Sequence, residues 1–323
     1  MARRADAMAF FGMPGQPPTI TSDMAIDLAL VTCAPPWAPT TSMVLEEAEK
    51  FKVALFQNAD SLVTIATHTD DIVMAREDNS TAIILGLQNL PDNVDITALK
   101  GAGIQVISLA YDTVNMYGSG CMNLDVGLTQ AGKDVLRAMD QEKGMILDLA
   151  HASHRMAREV LRFIHEARLF LPVMASHTGC YGVYPHFRNL PDQVLREIAE
   201  RGGVIGIPTL EFILGNGNED INHFRAHIRH AINVCGIESV VIGSDGTYSN
   251  VDEEQARAQF EMMRTKIDPQ GTWGARYPEH PEIFLGPNKL EHIANSIRDI
   301  AGEKTHTVVG ENLVQFFERS LFV

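Results

Sequence analysis

Cysteine is scarce in this sequence, and histidine is absent before His68. Cys33, Cys121, Cys180 and Cys235 are scattered without CxxC or knuckle spacing. That pattern signals neither a zinc ribbon nor a disulfide framework, so reduced thiols and a cytoplasmic location are expected. No apolar run reaches the roughly 18 residues a membrane span requires. The stretch after Arg3 and Arg4 is too short for a secretory leader and contains Asp6. Basic charge is also short: 26 Lys and Arg against 41 Asp and Glu give a net charge of −15, with a pI near 5.2. Nucleic acid and anionic membrane are therefore excluded as partners by repulsion. No good glycine-rich phosphate turn follows an early strand, Gly12-Met13-Pro14-Gly15 being a poor one, which counts against a doubly wound nucleotide-binding sheet.

What the chain does have is length and apolar content: 323 residues, 45% hydrophobic, enough for one large core. Short, nearly all-apolar runs alternate with helical patterns, as in a parallel sheet covered on both faces. Eight main strands are expected near residues 7, 25, 81, 104, 145, 172, 203 and 239, with 62–66 as an accessory. Eight is the number of a (β/α)8 TIM barrel, so the expected fold is α/β: one domain over 1–323 with a helical C-terminal extension. A helix is expected at 43–57, capped by Thr41 or Ser42, with Leu45, Ala48, Val53 and Phe56 as its apolar stripe. Others are expected at 69–77, 93–101, 130–142, 153–167 and 220–235. Residues 112–128, rich in Gly and Asn, read as a loop over the functional rim.

The chain is organised around residues 145–188. Ile146-Leu147-Asp148-Leu149-Ala150-His151 and Val173-Met174-Ala175-Ser176-His177 are each an apolar run ending in histidine. The two histidines lie 26 residues apart, the length of one strand-helix-strand crossover, so neighbouring strands would deliver both imidazoles to one rim. They form a candidate metal or catalytic pair. Gln88, Tyr111 and Asp245 also fall at the carboxyl ends of strands, where barrel enzymes keep their chemistry. His154 reads as a capping or surface group, His186 as structural and Cys180 as a small buried residue. His223, His227 and His230 share one helix face with Arg225 and Arg229 among them and no HExxH motif, which points to a solvated face.

Asp148-Leu-Ala-His151, Ala175-Ser-His177, Pro185-His-Phe-Arg188-Asn189, Gly202-Gly-Val-Ile-Gly206, Ile242-Gly-Ser-Asp245 and Gly310-Glu-Asn312 resemble, in order and spacing, the membrane (renal) dipeptidase family of the amidohydrolase superfamily. The resemblance runs from about residue 80 to the C-terminus. It implies a (β/α)8 barrel that hydrolyses dipeptides with two bridged zinc ions, in a homodimer. By the same resemblance His151 and His177 are ligands of the second zinc, Arg188 takes the substrate carboxylate through its planar fork, and Asp245 is the catalytic residue that handles the proton of the attacking water.

Three departures alter that expectation. The family's first strand carries a His-x-Asp pair for the first zinc. Here the corresponding positions hold residues such as Met13 and Gly15, or Ala29 and Val31. The bridging glutamate appears as Gln88, and a substrate-contacting histidine as Tyr111. A neutral amide is a weak zinc ligand, and only Asp245 is left to offset a dinuclear centre. At most one zinc is therefore expected, on His151 and His177 with Gln88 or Asp245 and water. Tyr111 remains a substrate-binding candidate, since a phenol can donate to a carbonyl. Two functions compete. One is hydrolysis of a small amide or dipeptide bearing a free carboxylate. The other is a metal-free relative that binds a small carboxylate or performs isomerase or lyase chemistry. The aromatic C-terminal helix, with Phe316, Phe317 and Phe322, is expected to pack on the barrel or on a partner.

Overall fold

A computed structural model of the chain describes residues 3–12, 17–60, 62–123, 126–216, 220–250, 252–268 and 271–321. Parallel strands pair in sequence order: β1 (Ala5–Asp6) with β2 (Leu28–Thr32), then β3 (Thr81–Leu87), β4 (Ile104–Ile107), β5 (Ile146–Asp148) and β6 (Val173–Met174). A bridge between Ala175 and Ile205 leads to β7 (Ile205–Ile207), which pairs with β8 (Val240–Ile242). The ring then closes. Ala7 donates its N–H to the Ile242 carbonyl at 2.7 Å and Asp245 donates to Met8 at 2.8 Å, while Gly246–Thr247 pairs with Ala9–Phe10. Closing the sheet leaves no edge exposed. Val63–Ile65 pairs with β3 outside the ring, as an accessory strand.

The apolar runs are explained by burial on both faces, and every residue of β3 is buried. Alternate residues divide between two clusters. Leu28, Leu30, Ile84, Val106, Ile146, Met174, Val204 and Val241 meet in one. Ala29, Val31, Ile83, Leu147, Ile205 and Ile242 face the other, shared with helices. Phe316 and Phe317, from helix Asn312–Ser320, are buried in the first cluster. That helix lies at the amino ends of the strands: Arg319 donates to the Gly202 carbonyl and Glu318 pairs with Arg3. The aromatic helix therefore packs on the barrel. Phe322 lies outside the described residues.

Several local expectations shift. The first strand begins at Ala5 and reaches Phe10 in two short pieces; Met13 and Gly15 lie outside the described residues. Helix Thr41–Asn58 is capped by Thr40, whose hydroxyl accepts from Met43 N–H at 3.3 Å. It buries Val44, Ala48 and Leu55 and leaves Val53 and Phe56 exposed. A stripe through 44, 48, 51 and 55 fits the helical period as well as the expected one, and contact with the barrel selects it. Within 112–128, Val114–Asn115 and Gly118–Ser119 form a small antiparallel pair.

Candidate metal and substrate site

Each expected rim histidine sits just past a strand. After β5 the chain turns sharply, so His151 takes φ +67°; after β8, Asp245 takes φ +54°. Such left-handed backbone costs non-glycine residues on the order of 1–3 kcal/mol and collects at functional sites. The turn brings His151 Nε2 to 2.9 Å from His177 Nε2, and both rings are buried. Asp245 Oδ2 lies 3.9 Å from the same His177 nitrogen. The one-crossover spacing thus delivers both imidazoles to a common point.

Two carboxylates hold this arrangement from behind. Asp148 accepts from Ala150 N–H at 2.9 Å, Ser176 N–H at 2.8 Å and the Ser176 hydroxyl at 2.5 Å. Ser176 Oγ in turn meets His177 Nδ1 at 2.7 Å. Asp6 makes the same clamp across β1 and β8. It accepts from Met8 N–H at 3.1 Å, Ser244 N–H at 2.8 Å and the Ser244 hydroxyl at 2.5 Å, and also from Tyr248 OH at 2.9 Å. Each clamp fixes the serine immediately before a rim residue, His177 or Asp245. Close strand approach helps: a Cβ on Gly206 or Gly243 would lie 1.8 Å from the Ser176 carbonyl oxygen, so only glycine fits there.

Asp112, Cys121, Asp6 and Lys289 carry no site role from sequence, and Asp148 appears only as part of a motif. His151 Nδ1 meets Asp112 Oδ1 at 2.7 Å, and Cys121 Sγ donates to that oxygen at 3.2 Å. Tyr111 stacks on the His151 ring with centroids 4.0 Å apart. Lys289, fully buried, donates to Ser244 Oγ at 3.3 Å and lies over the Tyr248 ring. A signal was present in hindsight: Asp148 lies three residues before His151, and a serine precedes both His177 and Asp245.

Arg188 is buried to 4% exposure, and both terminal guanidinium nitrogens lack a hydrogen-bond partner among the described residues, as does Asp112 Oδ2. A buried, unpaired guanidinium is costly, and two free parallel donors suit an incoming carboxylate. Burial drives the electrostatics of the rim. It pushes the Asp112 carboxyl up to about 7 and Asp245 up to about 6, in both cases against the opposing pull of Arg188. Both imidazoles are held well below their usual range, by burial first and Arg188 second.

On the first-strand side the donors are neutral. The ring position facing Gln88 is occupied by Met8, which belongs to neither of the expected pairs, Met13 with Gly15 or Ala29 with Val31: Gln88 Nε2 lies 3.5 Å from Met8 Sδ and donates to Thr32 Oγ1 at 2.7 Å. A thioether, a hydroxyl and an amide bring no negative charge to offset a second zinc ion, and each is a weaker ligand for it than imidazole or carboxylate. The two Nε2 atoms beside Asp245 do fit a single zinc ion.

His154 and His186 are structural. His154 meets the Asn189 carbonyl at 2.7 Å and His186 that of Trp273 at 3.1 Å. The expected solvated face at 223, 227 and 230 needs correction. His227 is fully buried, accepting from Cys180 N–H at 2.8 Å and bonded to the Leu214 carbonyl at 3.0 Å, because helix Ile221–Cys235 packs that face on the Cys180 loop and on the short helix Glu211–Leu214.

His280, beside Lys289, bonds Thr209 Oγ1 at 2.8 Å. Burial, then the Lys289 charge, lowers its pKa to about 3. An unfolded histidine titrates near 6.5. Between those values only the unfolded chain takes up the proton, so this contribution to stability is lost as pH falls through the window. His280→Gln should therefore lose less stability than the parent between neutral pH and about pH 4.5. Urea midpoints at the two pH values check it, and equal losses would refute the assignment.

An eight-stranded parallel barrel carrying imidazoles and a carboxylate at its carboxyl-terminal rim has the architecture of the metallo-dependent hydrolases. Among solved structures it resembles an amidohydrolase from Pseudomonas aeruginosa, with TM-score 0.81, 22% identity and coverage of 99% and 97% of the two chains. It also resembles a Rhodobacter sphaeroides metallo peptidase solved with a phosphinate mimic of the dipeptide L-Ala-D-Ala, with TM-score 0.74, 17% identity and coverage of 98% and 99%. The membrane dipeptidase family (peptidase family M19) matches residues 26–256, and the chain belongs to that family. It is 26% identical over 251 residues to dipeptidase tcpJ of Claviceps purpurea, covering 74% of this chain and 56% of that one. An uncharacterized dipeptidase of Schizosaccharomyces pombe is 27% identical over 221 residues, covering 64% and 52%. The chain thus matches little more than half the length of these two relatives.

Proposed function

We propose that this protein hydrolyses a small amide or dipeptide bearing a free carboxylate, using at most one zinc ion held by His151 and His177. The observation that carries the reading is the buried Arg188 guanidinium, with both terminal nitrogens unpartnered, near the paired imidazoles and Asp245. Arg188 takes the substrate carboxylate through its two free donors. Asp245, its side chain 18% exposed, takes the proton of the attacking water and returns it to the leaving amine. Tyr111, fixed by stacking on His151, orients the substrate, and its phenol donates to the scissile carbonyl. Gln88, its amide nitrogen committed to Thr32, keeps its carbonyl oxygen as the remaining neutral donor for the metal. Zinc, when bound, supplies Lewis-acid polarisation of the carbonyl.

The same reading takes the chain as one domain with a helical C-terminal extension, acting as a cytoplasmic homodimer. Among the described residues no helix is long and apolar enough to cross a membrane.

Protein purified without chelator should carry zinc up to one equivalent and turn over members of a dipeptide panel, with loss on chelation and recovery on zinc addition. Absence of both metal and turnover would remove the hydrolase reading in favour of a metal-free carboxylate binder. Two equivalents of zinc would refute the single-ion site.

A further inference from the structure

We infer that Asp112 is a positioning residue that fixes His151 with its Nε2 lone pair exposed to a cation. The inference rests on the single-ion reading above and concerns what makes the nitrogens available.

His151 Nδ1 and Asp112 Oδ1 are 2.7 Å apart, with only 4% and 5% of the two side chains exposed. In its ionised form, the one a neighbouring cation favours, the Asp112 carboxylate only accepts; Nδ1 then carries the hydrogen and Nε2 of the neutral ring is bare. At His177 the outcome is the same by a different route. The Ser176 hydroxyl gives its one hydrogen to Asp148, so its oxygen accepts from His177 Nδ1. Two bare Nε2 atoms then face each other 2.9 Å apart without a hydrogen between them. Buried acceptors are rarely left in that state, and a cation satisfies both. A carboxylate behind a ligating histidine is the usual means of setting its tautomer and strengthening it as a ligand.

A rival geometry has to be rejected. Asp112, Cys121 and His151 offer ligand atoms all within 4.8 Å of one another, which resembles a three-ligand metal site. Such a site would use Nδ1, leave the His177 nitrogen unserved, and require Cys121 to abandon its hydrogen bond to Asp112. The arrangement instead places Asp112 outside the ligand set and Cys121 one contact further out. Asp112, in the bends that follow β4, thereby ties the start of this rim segment to metal affinity.

The test is metal binding, read by zinc competition against a chromophoric chelator and by cobalt(II) absorption. Asp112→Asn keeps the shape but offers Nδ1 a neutral amide. Zinc affinity should fall about 10- to 100-fold, with a comparable fall for Ser176→Ala and none for Cys121→Ser. Cobalt should give no thiolate charge-transfer band. Thermal unfolding of the metal-free proteins separates these effects from misfolding, and Asp112→Ala provides a second variant at the same position. Undiminished affinity in both Asp112 variants would overturn the inference, as would a thiolate band abolished by Cys121→Ser or no metal bound by the parent protein. If the affinities behave as expected but no dipeptide is hydrolysed, the hydrolase reading fails and the role of Asp112 stands.

Discussion

Arg188→Met is expected to lower kcat/KM for dipeptides by about 30-fold to a few thousandfold, while making the metal-free protein more stable. The first effect follows from removing a desolvated charge partner of the substrate carboxylate, on the order of 2–5 kcal/mol. The second follows because both terminal nitrogens of the buried guanidinium lack partners among the described residues. A buried charge with unpaired donors carries a desolvation cost that an apolar side chain of similar size does not. Opposite signs in one variant are the mark of a group kept for ligand binding at a cost to the fold. Arg188→Lys should retain most of the activity loss, since a point charge does not reproduce the planar fork. Steady-state kinetics and urea unfolding of both variants decide the matter. Unchanged kinetics would show that the carboxylate binds elsewhere.

Asp6→Ala should produce the largest loss of stability, on the order of 3–5 kcal/mol, because it strands a buried charge. Four donors lose their acceptor: the Met8 and Ser244 amides and the Ser244 and Tyr248 hydroxyls. Lys289, fully buried, loses the carboxylate that helps keep it charged. Burial acts against both members: it raises Asp6 and lowers Lys289 to about 8. The pair is therefore a device for closing the ring and not a large net source of stability. Adding Lys289→Met to Asp6→Ala should recover much of the loss, with a coupling on the order of 0.5–3 kcal/mol in the double-mutant cycle. Additive losses would show that the two groups do not interact.

The barrel was legible because strands buried on both faces must be apolar along their length, and residues such as Thr81–Leu87 carry that mark whatever surrounds them. His151 and His177 were legible because one crossover has a typical length. Asp112 was not: it lies at the start of a segment whose return over the rim follows no periodicity, so nothing local ties it to His151. Lys289 enters from a helix far along the chain and looks like any first-turn residue until Asp6 and Ser244 are seen beside it. The helix at 41–58 shows a different limit. Two apolar stripes fit its period, and only contact with the barrel decides that Val44 is buried and Leu45 partly so. Met8 was hidden because the start of the first strand depends on closure with β8, a contact between opposite ends of the chain.

The two carboxylate-serine clamps have an evolutionary consequence. Each is built from an aspartate on one strand and the amide and hydroxyl of a serine on its neighbour, so the next position works as a socket whose side chain makes no bond to the clamp aspartate. A lineage can trade the imidazole or carboxylate in such a socket for another group while the ring keeps its closure, and reaction chemistry can drift on a frame that does not have to be reinvented.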